Sequence, residues 1–216
     1  MASLIIADDH PLFRAALQDV IRQAMPGADV VEAASFAQLQ QCLVEHPQPA
    51  LVLLDLHMPG AHGFSALLFL TAHYAQTPVL MVSANEQDNI IRRAADHGAA
   101  GFISKSASME AIGAAVQRVA RGDLSFPSGV DLSRPAIGAE ESGVAAALGE
   151  LTPQQFRVAT MISQGLLNKQ IAYELTVTEA TVKAHVTEVF RKLGVHSRTQ
   201  AALKLGSLDL PDPGNG

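Results

Sequence analysis

The sequence has few of the features that mark secreted or membrane-embedded proteins. Its 216 residues include one cysteine, Cys42, which lies in a helical pattern and cannot form a disulfide framework. We favour a packed core thiol over a catalytic one. No basic segment precedes a long apolar stretch, and no apolar run approaches the roughly 18 residues that suggest a transmembrane helix. We therefore expect a soluble, cytoplasmic protein with no membrane partner.

Basic residues are scarce in the first two thirds of the chain. Residues 1–148 contain eight Lys and Arg against fifteen Asp and Glu, a net charge of −7, whereas residues 149–207 carry a net charge of +3. An acidic part joined to a mildly basic one allows a nucleic-acid contact in the second part, although charge alone is weak evidence. The length is that of one or two domains with sizeable cores.

Four apolar runs in the first half each end in a polar residue. These residues are the pair Asp8-Asp9 after run 3–7, Asp55 after 51–54, Ser83 after 78–82, and Lys105 after 101–104. Helical periodicity separates the runs, and a further strand is predicted at 28–33. This alternation is typical of a parallel sheet built from βαβ units. All four run ends would then meet at one edge of the sheet, where such folds bind ligands.

The chemistry of that edge can be argued from the residue types. Taken alone, Asp55 could equally be a solubilising residue at the end of a core strand. Three clustered carboxylates repel one another unless a cation is bound, and oxygen ligands suit Mg²⁺. Asp55 could then act as a nucleophile on phosphorus, while Lys105 and the Ser83 hydroxyl hold the phosphoryl oxygens.

Residues 1–121 resemble the receiver domain of two-component response regulators. The resemblance rests on Asp8-Asp9 in ADDHPLFR, Asp55 in LLDLHMPG, Ser83 followed by a small alanine, and Lys105 in GFISK. The opening segment is similar to the NarL/FixJ branch in particular. The resemblance implies an α/β fold, namely a flavodoxin-like, doubly wound parallel sheet of five strands.

The same resemblance implies a role for each site residue. Asp55 would be the phospho-acceptor. Mg²⁺ would be bound directly by Asp9 and Asp55, through water by Asp8, and by the backbone carbonyl of His57. The other histidines of this half, including His10 and His97, are predicted to be surface or loop residues.

Receivers also switch shape when phosphorylated. By resemblance, Phe102 is the aromatic residue that turns inward when Ser83 contacts the phosphoryl group. One departure concerns the loop after Lys105, where receivers commonly have a proline in a cis bond and this chain has Ser106. A cis bond before a residue other than proline costs about 2.5–4 kcal/mol, so the geometry of that loop is left open.

Periodicity fades between residues 122 and 149, where glycine, proline and serine are frequent. This composition predicts a linker, with a short helix near 143–148. Beyond it, residues 150–207 are predicted to form a small all-α domain. Two of its helices, at about 169–175 and 179–193, are separated by a tight turn, which is the helix-turn-helix arrangement. The N-caps are predicted to be Thr152, Asn168 and Thr178. Residues 208–216 are predicted to be a flexible tail.

The second of these helices has one apolar face and one polar face. Thr181, Lys183, Ala184 and Thr187 lie outside the apolar stripe, near the helix N-terminus, where recognition helices touch base edges. Lys can donate to guanine, Ala can contact the thymine methyl group, and Thr can contact either kind of edge. A solvated helix face would look the same from these residues alone.

The segment GLLNKQIAYELTVTEATVKAHVTEVFRKLGVHSRTQA closely resembles the LuxR-type DNA-binding domain. The resemblance implies base contacts from Lys183, Ala184 and Thr187. It implies phosphate contacts from four residues: Asn168, Lys169, Thr181 and Lys192. Gln155 and Leu167 depart from the family, which usually has Glu and often Ser there. Glu188 adds a negative charge beside the DNA face.

We interpret the chain as a DNA-binding transcriptional response regulator, not an enzyme. A sensor histidine kinase or a small phosphodonor would phosphorylate Asp55, and a homodimer paired through the last helix, 197–206, would bind double-stranded DNA. One alternative is a phosphorylation-independent DNA-binding regulator whose receiver is a protein-docking module. A phosphatase with a catalytic aspartate is a second alternative, but it leaves residues 151–207 unexplained.

Overall fold

The computed structural model describes residues 3–208. The chain divides into two compact units, with the boundary after Ile137. The first unit alternates strands and helices, and the second consists of helices. The α/β fold followed by a small helical domain is therefore confirmed.

The first unit is a parallel five-stranded sheet with the strand order β2-β1-β3-β4-β5. Its strands are β1 (Ser3–Ala7), β2 (Asp29–Ala33), β3 (Leu51–Asp55), β4 (Val79–Ser83) and β5 (Gly101–Ser104). Its helices are α1 (Pro11–Ala24), α2 (Phe36–Glu45), α3 (Ser65–His73), α4 (Asp88–Asp96) and α5 (Met109–Ala120). The chain adds β2 on one side of β1 and β3 on the other, so the strand order reverses between β1 and β3. This is the switch point at which doubly wound sheets bind ligands.

Burial explains why the apolar runs are continuous. Every residue of β3 and of β4 is buried, as a central strand covered on both faces requires. One core cluster joins Leu53 and Leu80 of the sheet to Ile21 of α1 and Val116 of α5. With both faces of β3 and β4 packed, the polar residues of these strands, Asp55 and Ser83, lie at the strand ends.

Residues beyond α5 cover the edge of the sheet at β5. The Phe102 N–H donates to the Ser125 carbonyl (2.8 Å), and the Ser125 N–H donates to the Ala100 carbonyl (3.0 Å). A side chain on Gly101 would collide with this segment, because its Cβ would lie 2.6 Å from the Ser125 carbonyl oxygen. Further along, the Asp96 carboxylate accepts from the Ala136 N–H at 2.6 Å.

In the second unit, the described residues up to 208 form five helices: α6 (Ala139–Gly149), α7 (Pro153–Ser163), α8 (Asn168–Leu175), α9 (Glu179–Leu193) and α10 (Arg198–Gly206). Helix α9 packs against all four others. Thr152, Thr178 and Ser197 cap α7, α9 and α10, each accepting from a backbone N–H three residues on. Thr176, in the turn between α8 and α9, has a left-handed backbone with a φ of 54°.

Several local expectations differ from the structure. The helix predicted at 143–148 spans Ala139–Gly149, and its Val144 and Leu148 are buried. Asn168 is the first residue of α8 and not its N-cap, which is Leu167. His97 lies in the turn after α4, as a loop residue, but it is buried against the Phe64 ring and not on the surface.

Two further points concern backbone ends and loops. No peptide bond is cis among residues 3–208, so the Lys105–Ser106 bond is trans. Of the predicted tail, Leu208 is buried, with 1% of its surface exposed. Residues 209–216 lie outside the described part of the chain.

Candidate functional site

The structure brings the predicted acidic residues together at the carboxyl ends of the strands. Asp8 and Asp9 follow β1, and Asp55 is the last residue of β3. Asp8 and Asp55 are buried, with 1% and 3% of their surfaces exposed. Ser83 ends the neighbouring strand β4 and is fully buried. Parallel pairing aligns these ends, so the convergence follows from the topology.

Lys105 is the cation of this pocket. Its ammonium lies 2.7 Å from a carboxylate oxygen of Asp8 and 2.8 Å from one of Asp55. Its side chain is 17% exposed, and the ammonium lies 5.2 Å from the centre of the Phe13 ring. A single ammonium thus bridges two buried carboxylates, which have to be paired to remain charged.

The surroundings shift the titration of both partners. Burial raises the pKa of Asp55, Lys105 opposes this rise, and the nearby Asp8 charge adds to it. Burial would lower the pKa of Lys105, but its bonds to Asp55 and Asp8 outweigh burial, so its pKa is raised. Lys105 therefore keeps its positive charge throughout the neutral range.

His10 is a member of the pocket that sequence reasoning missed. Its Nδ1 lies 2.6 Å from Asp9 Oδ1 and 3.1 Å from Asp8 Oδ1. The His10 backbone N–H also donates to Asp8 at 2.7 Å. The available signal was its position directly after the acidic pair, which places it at the same strand end.

The donor set of the pocket suits a divalent cation. One ligand atom each from Asp8, Asp9, His10 and Asp55 lies within 4.8 Å of all the others. Three of the four donors are carboxylates, which Mg²⁺ prefers. The predicted acidic cluster thus exists, and its chemistry fits Mg²⁺.

Two further predicted residues flank the pocket on β4 and β5. The Ser83 hydroxyl accepts from the Asn85 N–H at 3.1 Å, at the start of the loop to α4. Phe102 is buried, with 2% of its surface exposed, and its register partner on β4 is Met81. The backbone of Phe102 bonds Ser125, so the predicted switch residue contacts the segment that follows α5.

In the second unit, α9 presents the polar face that the sequence predicts. Val182, Val189 and Leu193 are buried in the domain core. The four residues predicted near the start of the helix are all exposed: Thr181, Lys183, Ala184 and Thr187. They are available to a partner, whereas the apolar stripe is not.

Two of the predicted phosphate contacts are engaged within the domain. The Lys192 ammonium donates to the Glu150 carbonyl and to Gln155 Oε1, both at 2.8 Å. Asn168 Oδ1 accepts from the Arg198 guanidinium at 3.2 Å. Lys169, by contrast, is exposed. A phosphate bound by Lys192 would have to displace its partners inside the protein.

Comparison with known proteins agrees with both halves of this description. The family of the response regulator receiver domain matches residues 4–117, and the luxR family of bacterial regulatory proteins matches residues 149–205. The chain belongs to the response regulators. Its combination of a receiver with a LuxR-type domain is that of the NarL/FixJ family.

Relatives match this response regulator over nearly their whole length. It is 38% identical to the glycerol metabolism activator of Pseudomonas putida over 97% of each chain. It is 30% identical to the nitrate/nitrite response regulator NarL of Escherichia coli K12 over 94% of each. A structure of the Salmonella typhimurium response regulator RcsB shares the fold, with a TM-score of 0.56 at 20% identity, covering 95% of this chain and 99% of that one.

Membership of this family defines the general activity. The protein is a DNA-binding transcriptional response regulator switched by phosphorylation, and it is not an enzyme. Within residues 3–208, no helix has the length and apolar character that crossing a membrane would require.

Proposed function

We propose that Asp55 is the phospho-acceptor of this response regulator. The observation that carries the proposal is a buried carboxylate at the end of β3, 2.8 Å from the Lys105 ammonium. A carboxylate oxygen of Asp55 forms a bond to phosphorus, and the bond from phosphorus to the donor breaks. The donor is the phosphohistidine of a sensor kinase or a small acyl phosphate, whose imidazole or carboxylate leaves.

Mg²⁺ belongs to this reaction as the cofactor. Asp9, Asp55 and the backbone carbonyl of His57 would bind it directly, and Asp8 would bind it through water. When bound, the ion supplies positive charge that offsets the charge of the phosphoryl oxygens. Because Asp8 and Asp55 are buried, water screens their attraction to the ion only weakly, and the charge of the ion would stabilise them strongly.

The remaining pocket residues respond to the new phosphoryl group. Lys105 turns its ammonium from the bare carboxylates to a phosphoryl oxygen, and the Ser83 hydroxyl donates to another. Phe102 packs into the space beside Ser83. Since the Phe102 backbone bonds Ser125, its movement reaches the segment that leads to the second domain.

DNA is read by the exposed face of α9. Lys183, Ala184 and Thr187 contact base edges in the major groove. Phosphate contacts come from Thr181, Asn168, Lys169 and Lys192. We propose a homodimer on DNA, paired through α10, on which Leu203 is 73% exposed. A regulator that acts on DNA in this way works in the cytoplasm.

The domain boundaries belong to this proposal. Residues 1–121 are the receiver, 122–149 connect the two domains, and 150–207 are the DNA-binding domain. The α6 segment within the connection packs against α9, so the connection is partly structured.

The first test is incorporation of phosphate from acetyl phosphate with and without Mg²⁺, with oligomeric mass recorded on the same samples. We expect Mg²⁺-dependent labelling of the wild type that falls to background in Asp55→Asn, together with a shift toward dimer. Labelling without a change in mass would support phosphorylation of Asp55 but indicate that it releases the DNA-binding domain and does not cause dimerisation. No labelling by acetyl phosphate or by a kinase would favour the receiver as a docking module.

The second test separates base reading from general charge. On a duplex selected in vitro for tight binding, Lys183→Ala should weaken binding by about five- to 150-fold, since a base contact is worth roughly 1–3 kcal/mol. Arg191→Ala, which removes the same charge from the other end of α9, is the matched control and should have a smaller effect. Equal losses in the two variants would contradict the proposed reading face.

A further inference from the structure

The loop that carries Lys105 is fixed to the loop that follows Ser83. Ser83 and Ser104 are register partners on β4 and β5, and the Lys105 N–H donates to the Ser83 carbonyl at 2.9 Å. The Ala107 N–H donates back to the Ser104 carbonyl at 3.2 Å, which closes a turn around Lys105. The backbone of Lys105 is therefore held at the end of β4.

A side-chain cluster reinforces this connection. One carboxylate oxygen of Glu86, in the loop between β4 and α4, accepts from the Ser104 hydroxyl and from the Ser106 hydroxyl, the latter at 2.7 Å. The two hydroxyl oxygens lie 2.8 Å apart, and the Ser106 N–H donates to Ser104 Oγ at 3.0 Å. Glu86 thus holds both residues that flank Lys105.

The loop that carries Glu86 is itself hydrogen-bonded to Ser83. The Asn85 N–H donates to the Ser83 hydroxyl, and the Gln87 N–H donates to Asn85 Oδ1, both at 3.1 Å. These two bonds fold the loop around Glu86. A path made of hydrogen bonds and the loop backbone therefore runs from Ser83 through Glu86 to the two neighbours of Lys105.

The position of Lys105 needs such support. Its four-carbon side chain is flexible, and its ammonium has to meet one phosphoryl oxygen between two carboxylates. Ser106 stands where receivers commonly have a rigid proline. Two hydrogen-bonded serines restrict the backbone here by a different means, which requires an acceptor on the neighbouring loop.

We propose that Glu86 is a positioning residue for transfer of the phosphoryl group to Asp55: it holds Ser104 and Ser106, and through them Lys105. This inference rests on the proposed function of Asp55. The bonds from Ser104 and then Ser106 lower the pKa of the Glu86 carboxyl, so it is an ionised acceptor at neutral pH.

The test compares rates of phosphorylation by acetyl phosphate at saturating Mg²⁺ in the full chain. Glu86→Ala should lower the rate roughly five- to twentyfold, since slight misplacement of a reacting group is costly. Glu86→Gln should stay within about threefold of the wild type, because its amide can bond both hydroxyls. Glu45→Ala, which removes an exposed carboxylate that accepts from Gln41, is the matched control and should not change the rate.

Two further readouts separate positioning from general stability. Mg²⁺ affinity, measured by titration calorimetry, should be unchanged in Glu86→Ala, because the variant keeps every proposed metal ligand. Ser104→Ala/Ser106→Ala should lower the rate as much as Glu86→Ala does, and combining all three changes should lower it less than twofold further, since they break one network.

The possible outcomes are distinct. A Glu86→Ala rate within twofold of the wild type, or additive effects in the triple variant, would overturn the inference while leaving Asp55 as the acceptor. A parallel loss of Mg²⁺ affinity and melting temperature would overturn it in favour of a structural role. If the wild type is labelled neither by acetyl phosphate nor by a kinase, the proposed function fails, and this inference fails with it.

Discussion

Replacing Gly101 with alanine tests whether the segment after α5 is bound to the edge of the sheet. The added Cβ would lie 2.6 Å from the Ser125 carbonyl oxygen and 2.9 Å from Leu80 Cδ1. Side-chain atoms of Leu80 can move, but the carbonyl oxygen belongs to backbone that is bonded on both sides. The segment therefore has to leave β5, or the strand has to shift.

The cost can be worked out from these contacts. Overpacking a core typically costs about 1–3 kcal/mol. Losing the two backbone hydrogen bonds between Ser125 and β5 adds about 0.5–1.5 kcal/mol for each. The chain can relieve the overpacking by giving up these hydrogen bonds, so the two costs do not add in full. We therefore expect Gly101→Ala to lower the free energy of unfolding by about 2–4 kcal/mol.

Scanning calorimetry is the suitable assay, because the chain has no tryptophan for fluorescence. A domain of this size loses roughly 4 °C per kcal/mol, so the receiver transition should fall by about 8–16 °C. Gly129→Ala is the matched control, since nothing lies within 4 Å of its Cβ position. A Gly101→Ala variant that melts within about 2 °C of the wild type would refute the bridge between Gly101 and Ser125.

Three other predictions concern charge and capping. Because burial raises the pKa of Asp55, the ionised carboxylate destabilises the folded receiver at neutral pH. Asp55→Asn should therefore raise the melting temperature of the receiver at neutral pH. This gain should vanish as the pH falls through the raised pKa, because Asp55 is then protonated. Gln155→Glu should stabilise the DNA-binding domain by about 0.5–1 kcal/mol through a charged bond to Lys192, a gain that Lys192→Met should abolish in calorimetry. Leu167→Ser should add about 0.5–1 kcal/mol by completing a capping box, since Gln170 already accepts from the Leu167 N–H; urea unfolding that shows no gain would contradict it.

Sequence patterns were sufficient wherever one local rule decides the outcome. The strand ends at Asp55 and Ser83 follow from parallel pairing of buried runs, which no side-chain detail alters. The caps at Thr152 and Thr178 follow from a side-chain oxygen that meets a backbone N–H three residues later. These features needed no knowledge of contacts distant in sequence.

Contacts between residues distant in sequence explain the features that sequence patterns did not predict. After Ala139, the first turns of α6 consist of polar residues and glycine. The helix is held by Val144 and Leu148, whose packing partners lie elsewhere in the second unit. Ser125 pairs with β5 inside a stretch rich in glycine and proline, where propensity predicts no pairing. The sequence also did not reveal the bonds that hold Lys192 within the domain, because its acceptors at 150 and 155 are brought near only by the fold.

The covered edge at β5 also bears on how copies of the protein can meet. An open edge strand offers a row of unpaired donors and acceptors, to which another chain can add a strand. Here Ser125 occupies that position on β5, while β2, at the opposite edge, carries the exposed charges of Asp29 and Glu32. Both edges thus resist intermolecular sheet growth. Association of receivers is thereby directed to helical surfaces, which can assemble and separate without exchanging backbone hydrogen bonds.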